Sequence, residues 1–403
     1  MLGWANQFSI CCFLDNNQYR SKHNSYEWLL AVGAVKTCLP VENKLDAFKK
    51  FCTDNSDDWL FGHFGYDLKN EIEELSSAHT DYIGFPDLFF FQPEIVIRSA
   101  AEGISIASLV QQPAEIFSDI NALTPQPARP QVQPDIQIRT VKWQYIDTVE
   151  KLRNHILRGD CYEINYCIEF FAEDAIINPL SVYEQLIKIS PNPFACFYKL
   201  HDKYLLCASP ERYLKKVGNT IISQPIKGTI KRNTETPEAD ENNKEQLLQS
   251  EKDRSENVMV VDLVRNDLSK ICKDGSVMVD ELFGIYSFPQ LHQMISTVKG
   301  ELKDGIDMAE IVAATFPMGS MTGAPKKRVM ELIENYEQTK RGIFSGAIGY
   351  IDPYGDADFN VVIRSIMYNE ANTYLSYHVG SAITFYSNAA DEFRSEERRV
   401  GKE

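Results

Sequence analysis

Four short stretches hold residue types that could do chemistry. In SQPIKGTIKR, Ser223 to Arg232, Lys227 stands where strand-like flanks meet Pro225 and Gly228. A free lysine titrates at about 10.4. It serves as nucleophile or base near neutrality only when desolvated or crowded by charge. Pro225 restricts the chain ahead of it, and Gly228 permits close approach of backbone to a ligand. The pattern alone leaves two alternatives open: a solvated turn lysine, or one held in place to react. In SPERY, Glu211 lies one strand and one turn earlier. Antiparallel strands can bring it to Lys227 as a proton carrier. A surface glutamate after a turn proline is the other reading.

In SEKDRSENVMVVDLVRNDL, Asp253 and Glu256 are spaced i,i+3, so a helix shows both carboxylates on one face. One or two carboxylates completed by substrate oxygens are the usual holders of Mg²⁺. Acidic residues also favour the first turn of any helix, and that reading stays open. In FPMGSMTGAPKKRVMELI, Gly319 and Gly323 lead to Pro325 and a run with Val329, Leu332 and Ile333 at helical spacing. A glycine-rich turn feeding a helix start suits an anion. The spacing matches neither a P-loop nor a dinucleotide-binding turn, so a carboxylate fits better than a triphosphate.

The elements that must position these groups follow from hydrophobic periodicity. Strand patterns lie in FSICCFL, DLFFFQPEIVIRS, GISIASLV, CYEINYCIEFFA, PFACFYKLHDKYLLCAS, RYLKKV, TIISQPI and, near the end, in GIFSGAIGYIDP, DFNVVIRSIMY and YLSYHVGSAI. Helical spacing places Leu45, Phe48 and Cys52 on one face, and Tyr145, Val149, Leu152 and Ile156 on another, with Gly159 as a stop. Two longer helical stretches cover about 244–271 and 325–336. Strands run consecutively before helices arrive, which predicts an α+β fold of two antiparallel sheets packed together with helices outside. TPQPARPQVQPD carries four prolines and reads as a connection over 124–136. It separates an N-terminal part, 1–123, from a larger region, 137–393.

Composition excludes several function classes. The net charge of −16 and the lack of a basic stripe argue against a nucleic-acid partner. No stretch of about 18 apolar residues predicts a membrane span. Nine scattered cysteines, without zinc-type spacing, read as reduced thiols in a cytoplasmic protein.

Taken together the motifs resemble the chorismate-utilising enzymes. SPERY, QPIKGT, KDRSENVMVVDLVRNDL, STVKG, FPMGSMTGAPKKRVMELI, RGIFSGAIGYIDPYGDADFNVVIRS and VGSAIT occur in that family's order, and FGHFGYDLKNEIE at 61–73 is similar to its N-terminal signature. Lysine in PIKGT, where relatives that add nitrogen or water at C2 generally carry alanine, resembles the aminodeoxychorismate synthase branch. Glu163 stands where the water-adding members carry a lysine base. The resemblance implies that Lys227 forms a covalent adduct with chorismate and that Glu211 is the acid/base. It implies substrate contacts from Gly228, Thr229, Thr322, Gly323, Arg364 and the backbone at Gly380, Ser381 and Ala382. Glu256 on the long helix and Glu392 near the C-terminus match Mg²⁺ ligands, with Asp253 beside Glu256 on its helix face. Ammonia is expected from a separate glutamine amidotransferase subunit, and the product, 4-amino-4-deoxychorismate, leads to p-aminobenzoate and folate. An anthranilate-forming enzyme and a catalytically weakened homologue are the alternatives.

Two departures from the pattern stand out. Three residues before Ser296, where the family has histidine, this chain has Gln293, with His292 one place earlier. Ser395 occupies the place of a second acidic residue three after Glu392. The charged segment RSEERRVGKE, 394–403, does not resemble the family, and the expectation is that it replaces a native helix.

Overall fold

A computed structural model describes the chain apart from Arg20, Ser21, Asn24, Ala101, Glu102, Thr234 and residues 124–132 and 400–403. Two antiparallel sheets, one of eleven strands and one of ten, face each other. The predicted α+β class holds. Alternating apolar residues of both sheets meet in one core, where Phe48, Phe64, Phe90 and Phe359 pack ring against ring. Such aromatic pairs add to the burial of their area.

Both parts of the chain contribute strands to both sheets. Ile10–Asp15 pairs with Phe194–Leu200 in the eleven-stranded sheet, and Leu60–Phe64 pairs with Ala347–Ile351 in the ten-stranded one. The proline-rich stretch 124–132 lies outside the described residues. Gln133 to Ile136 is irregular and runs into the short strand Gln137–Ile138 against Phe170 and Phe171.

Two sequence expectations change in detail. DLFFFQPEIVIRS is not one strand: Leu88–Gln92 belongs to the ten-stranded sheet and Ile95–Ala100 to the eleven-stranded one. Pro93 cannot donate to a ladder, so the chain changes sheet there. The helical stretch around 244–271 is two helices, Pro237–Gln249 and Glu251–Ile271. Ser250 interrupts them and caps the second, its Oγ accepting from the Asp253 amide at 3.3 Å. Residues 394–399 belong to the helix Ala389–Arg399, and the rest of the charged segment lies outside the described residues. No helix among the described residues is long and apolar enough to cross a membrane.

Candidate active site

Lys227 lies at an irregularity in its strand. Ile226–Lys231 pairs with Leu291–Glu301, Ile226 opposite Ile295 and Thr229 opposite Gln293. Three steps on one strand therefore face two on the other, and the extra residue falls at Lys227–Gly228. A bulge of this kind re-aims a side chain. Gly228 has φ +93°, and a Cβ there would stand 2.9 Å from Cβ of Asp253. Glycine is thus needed both for the backbone and for the approach of the acidic helix.

The re-aimed lysine reaches the other sheet. Its Nζ lies 2.5 Å from Oε1 of Glu163, on the strand Glu163–Ala172, and the two side chains are 10% and 1% exposed. Burial pulls the ammonium pKa down, but the Glu163 and Glu256 carboxylates outweigh it and the net direction is up. The resting lysine is therefore charged. The other Glu163 oxygen, Oε2, is buried without a hydrogen-bond partner. Sequence reasoning marks Glu163 only by its position in a motif. Its pairing with a residue 64 positions away is visible only in the fold.

Glu211 sits where the chain crosses from Lys203–Ser209 in one sheet to Arg212–Val217 in the other. It is buried, and Ser320 Oγ donates to its Oε1 at 2.6 Å. Burial pushes its carboxyl up, against the lowering pull of the Ser320 hydrogen bond and of Lys227, to about 7. A carboxyl poised there can give and take a proton at neutral pH.

The acidic helix Glu251–Ile271 lies over the Lys227 strand, and Ser296 Oγ donates to Asn257 Oδ1 at 2.6 Å to fix it to the neighbouring strand. Glu256 is pushed up to about 7 by burial, against the pull of Lys227. Its buried Oε1 has no hydrogen-bond partner, only Lys252 at 3.9 Å. Asp253, one turn earlier, accepts from Ser250 Oγ at 2.5 Å. Glu392 is on the helix Ala389–Arg399, which packs on the helix Lys142–Leu157. Among the described residues, no three acidic, histidine or cysteine side chains converge as a ready-made metal cage.

The glycine-rich turn is the 3₁₀ segment Gly319–Met321 followed by Gly323–Ala324, which pairs with Ile164 and Glu163. Gly323 has φ +139°, and a Cβ would stand 2.1 Å from the Glu163 carbonyl. Thr322 is buried and donates to the Met318 carbonyl at 3.1 Å. Gly380, Ser381 and Ala382 pair with Cys167, Tyr166 and Asn165. The next strand, Ser365–Asn369, covers only Tyr374 to Ser376, so among the described residues no strand pairs with the far edge of Gly380–Ala382. Arg364 is exposed at φ +53°, and its carbonyl accepts from the Ala208 amide, three residues before Glu211. Thr229 is exposed on the Lys227 strand.

Strand alternation separates the two residues at the departure point. His292 is buried between Asp240 Oδ1 at 2.9 Å and Ser287 Oγ at 2.8 Å. Gln293 points to the other face, buried, with its Oε1 unpartnered.

A family profile for chorismate binding enzymes matches residues 12–397. The chain belongs to the chorismate-binding enzyme family. Aminodeoxychorismate synthase component 1 of Bacillus subtilis is 32% identical over 337 residues, 80% of this chain and 71% of that protein. The chloroplastic aminodeoxychorismate synthase of Arabidopsis thaliana is 36% identical over 356 residues, 82% of this chain and 38% of that longer protein. The fold of anthranilate synthase component I from Streptococcus pneumoniae superposes with a TM-score of 0.82 at 24% identity, covering 95% of this chain and 94% of that one. This chorismate-binding enzyme shares the two-sheet architecture with MenF, the isochorismate synthase of Escherichia coli, at a TM-score of 0.79, 15% identity and coverage of 100% and 90%.

Proposed function

We propose that this chorismate-binding enzyme is an aminodeoxychorismate synthase, joining ammonia to chorismate at C4 through an adduct on Lys227. The observation that carries the reading is Lys227 itself, its side chain only 10% exposed between the sheets, with Glu163 on its ammonium and Glu211 close enough to perturb it. Several relatives named aminodeoxychorismate synthase support it.

The lysine must be neutral to attack, and the carboxylate in contact with its proton is Glu163. With that proton held by Glu163, the lysine amine forms a bond to C2 while the C4–O bond breaks, electrons passing through the ring diene. Glu211, protonated, gives its proton to the departing oxygen, which leaves as water. Ammonia adds at C4, the C2–N bond to lysine breaks, and the proton that ammonia sheds returns to Glu211. Covalent catalysis divides one hard displacement into two easier ones. Glu256, with its unpartnered buried oxygen, and Asp253 one turn earlier would anchor Mg²⁺, and Glu392 on the terminal helix would be a further ligand. Bound there, the ion would supply positive charge against a substrate carboxylate. The Gly380–Ala382 backbone, the Thr322–Gly323 turn and Arg364 would hold the carboxylates of the substrate.

Relatives called component 1 fit a second subunit, a glutamine amidotransferase, as the ammonia source. The nine cysteines are free, which fits a reducing cytoplasmic compartment. The test is mass spectrometry of the enzyme with chorismate, Mg²⁺ and no ammonia. An adduct on Lys227 is expected. Fluorescent anthranilate formed with ammonium, without any added lyase, would show instead an anthranilate-forming enzyme.

A further inference from the structure

Arg341 makes a buried clamp that the chemistry above does not use. It follows the helix Lys326–Tyr336, and its side chain is 1% exposed. A guanidinium has five N–H donors in a fixed fork, and here each finds an acceptor. Nε donates to Glu337 Oε2 at 2.9 Å, and Nη2 to Glu337 Oε1 at 2.6 Å. Nη2 also donates to the Asn165 carbonyl at 2.7 Å. Nη1 donates to the Met321 carbonyl at 2.7 Å and to Ser345 Oγ at 3.3 Å. The Tyr66 ring covers the guanidinium at 4.6 Å, and Glu337 Oε1 accepts the Cys167 amide at 2.9 Å.

The two carbonyls matter most. Met321 follows Ser320, the donor to Glu211, and precedes Thr322 and Gly323. Asn165 is two residues from Glu163, the partner of Lys227, so both side chains leave the same face of that strand. The Asn165 amide donates to the Thr322 carbonyl at 2.8 Å, and its side chain to the Ser320 carbonyl at 2.8 Å. Arg341 therefore adds a tie through both backbones to the direct bonds that hold the glycine-rich turn in register against the Glu163 strand. Lysine could replace its charge but not the fork, since it has three donors on a point charge.

We infer that Arg341 is a positioning residue that holds the Ser320 turn and the Glu163 strand in mutual register, so that acid and nucleophile keep their partners. The inference rests on Glu211 acting as the acid, as proposed above. Lys227 is the charged side chain that acts on Glu211, and Glu163 and Glu256 in turn act on that lysine.

The experiment follows chorismate consumption with ammonium and Mg²⁺ across pH in the parent, Arg341→Lys, Ser320→Ala and the double variant. Activity needs Glu211 protonated, so kcat/KM falls as pH rises through about 7 in the parent. Ser320→Ala removes a hydrogen bond that lowers the Glu211 pKa, so this alkaline limb moves to higher pH. Arg341→Lys is expected to lose about 10²-fold in kcat/KM, the scale of a 1 Å misplacement, and to move the limb the same way. The double variant moves it no further than Ser320→Ala alone. A limb that stays at the parent's position in Arg341→Lys overturns the inference, as does an additive shift in the double variant. If Arg341→Lys does not fold, Ser345→Ala removes one acceptor of Arg341 Nη1 instead; a smaller shift upward supports the clamp, and none overturns it. A product other than 4-amino-4-deoxychorismate overturns the proposed function and leaves the clamp standing, whereas a parent that consumes no chorismate overturns both.

Discussion

Two ionic clusters meet along the strand Glu163–Ala172, through Glu163 in one and the Asn165 carbonyl in the other, and they are built on opposite terms. At Arg341 and Glu337 every N–H donor has an acceptor and both carboxylate oxygens are used. Around Lys227 the carboxylates outnumber the cations, and Glu163 Oε2 and Glu256 Oε1 are buried without hydrogen-bond partners. Leaving a buried acceptor unpaired costs about 1–3 kcal/mol. A saturated cluster has no capacity left for a ligand and serves to hold backbone in place. An unsaturated one keeps acceptors free for something that arrives later. The pKa directions agree: Glu211 and Glu256 are pushed up to about 7 because burial is not fully answered by partners.

The comparison can be broken most severely at the lysine. Lys227→Ala is expected to lower ammonia-dependent turnover by about 10³-fold or more, as loss of a nucleophile does, with no adduct in the mass spectrum. Unchanged turnover would remove the covalent role. Glu211→Gln comes next, with a loss of about 10²–10⁴-fold. The alkaline limb near pH 7 should vanish with it, and a limb that persists would mean another group titrates there.

The saturated cluster predicts a stability effect. Glu337→Gln leaves the Arg341 charge buried and half paired, at a cost of about 3–5 kcal/mol in urea unfolding. A change under about 1 kcal/mol would show that the cluster is not the rigid point described. The smallest effect is expected at Glu256, whose folded pKa is raised. Such a carboxyl destabilises the fold as pH climbs from its ordinary range through about 7. In metal-free buffer at pH 8, Glu256→Gln should therefore unfold at the same urea concentration as the parent or a slightly higher one, while Mg²⁺ affinity falls. Clear destabilisation there would place Glu256 in the saturated class.

Much of this was readable beforehand. Spacing placed the helices at Lys44–Asp54 and Lys142–Leu157, where Phe48, Tyr145, Val149 and Leu152 are buried as the periodicity requires. The strand runs are legible in the alternation, but the change of sheet at Pro93 within DLFFFQPEIVIRS is not, because apolar runs carry no information on which sheet receives them. Lys227, Glu211 and the Asp253–Glu256 face stood out through local context. Ser320, Arg341 and Glu337 did not, since nothing around a serine, an arginine or a glutamate in sequence says which buried carbonyl or carboxyl it will meet.

The amino-acid sequence alone determined the alternation that makes two antiparallel sheets, the acidic helix, and the glycines that permit a bulge at Gly228 and a close turn at Gly323. These are properties of adjacent residues, fixed by sterics and periodicity. Only the tertiary structure decided that Lys227 of one sheet meets Glu163 of the other, that Glu211 is buried enough to titrate near neutrality, and that Arg341 holds both partners in register. Desolvation and charge pairing depend on distance in space, and the pairs that count are separated by tens to more than a hundred residues of chain.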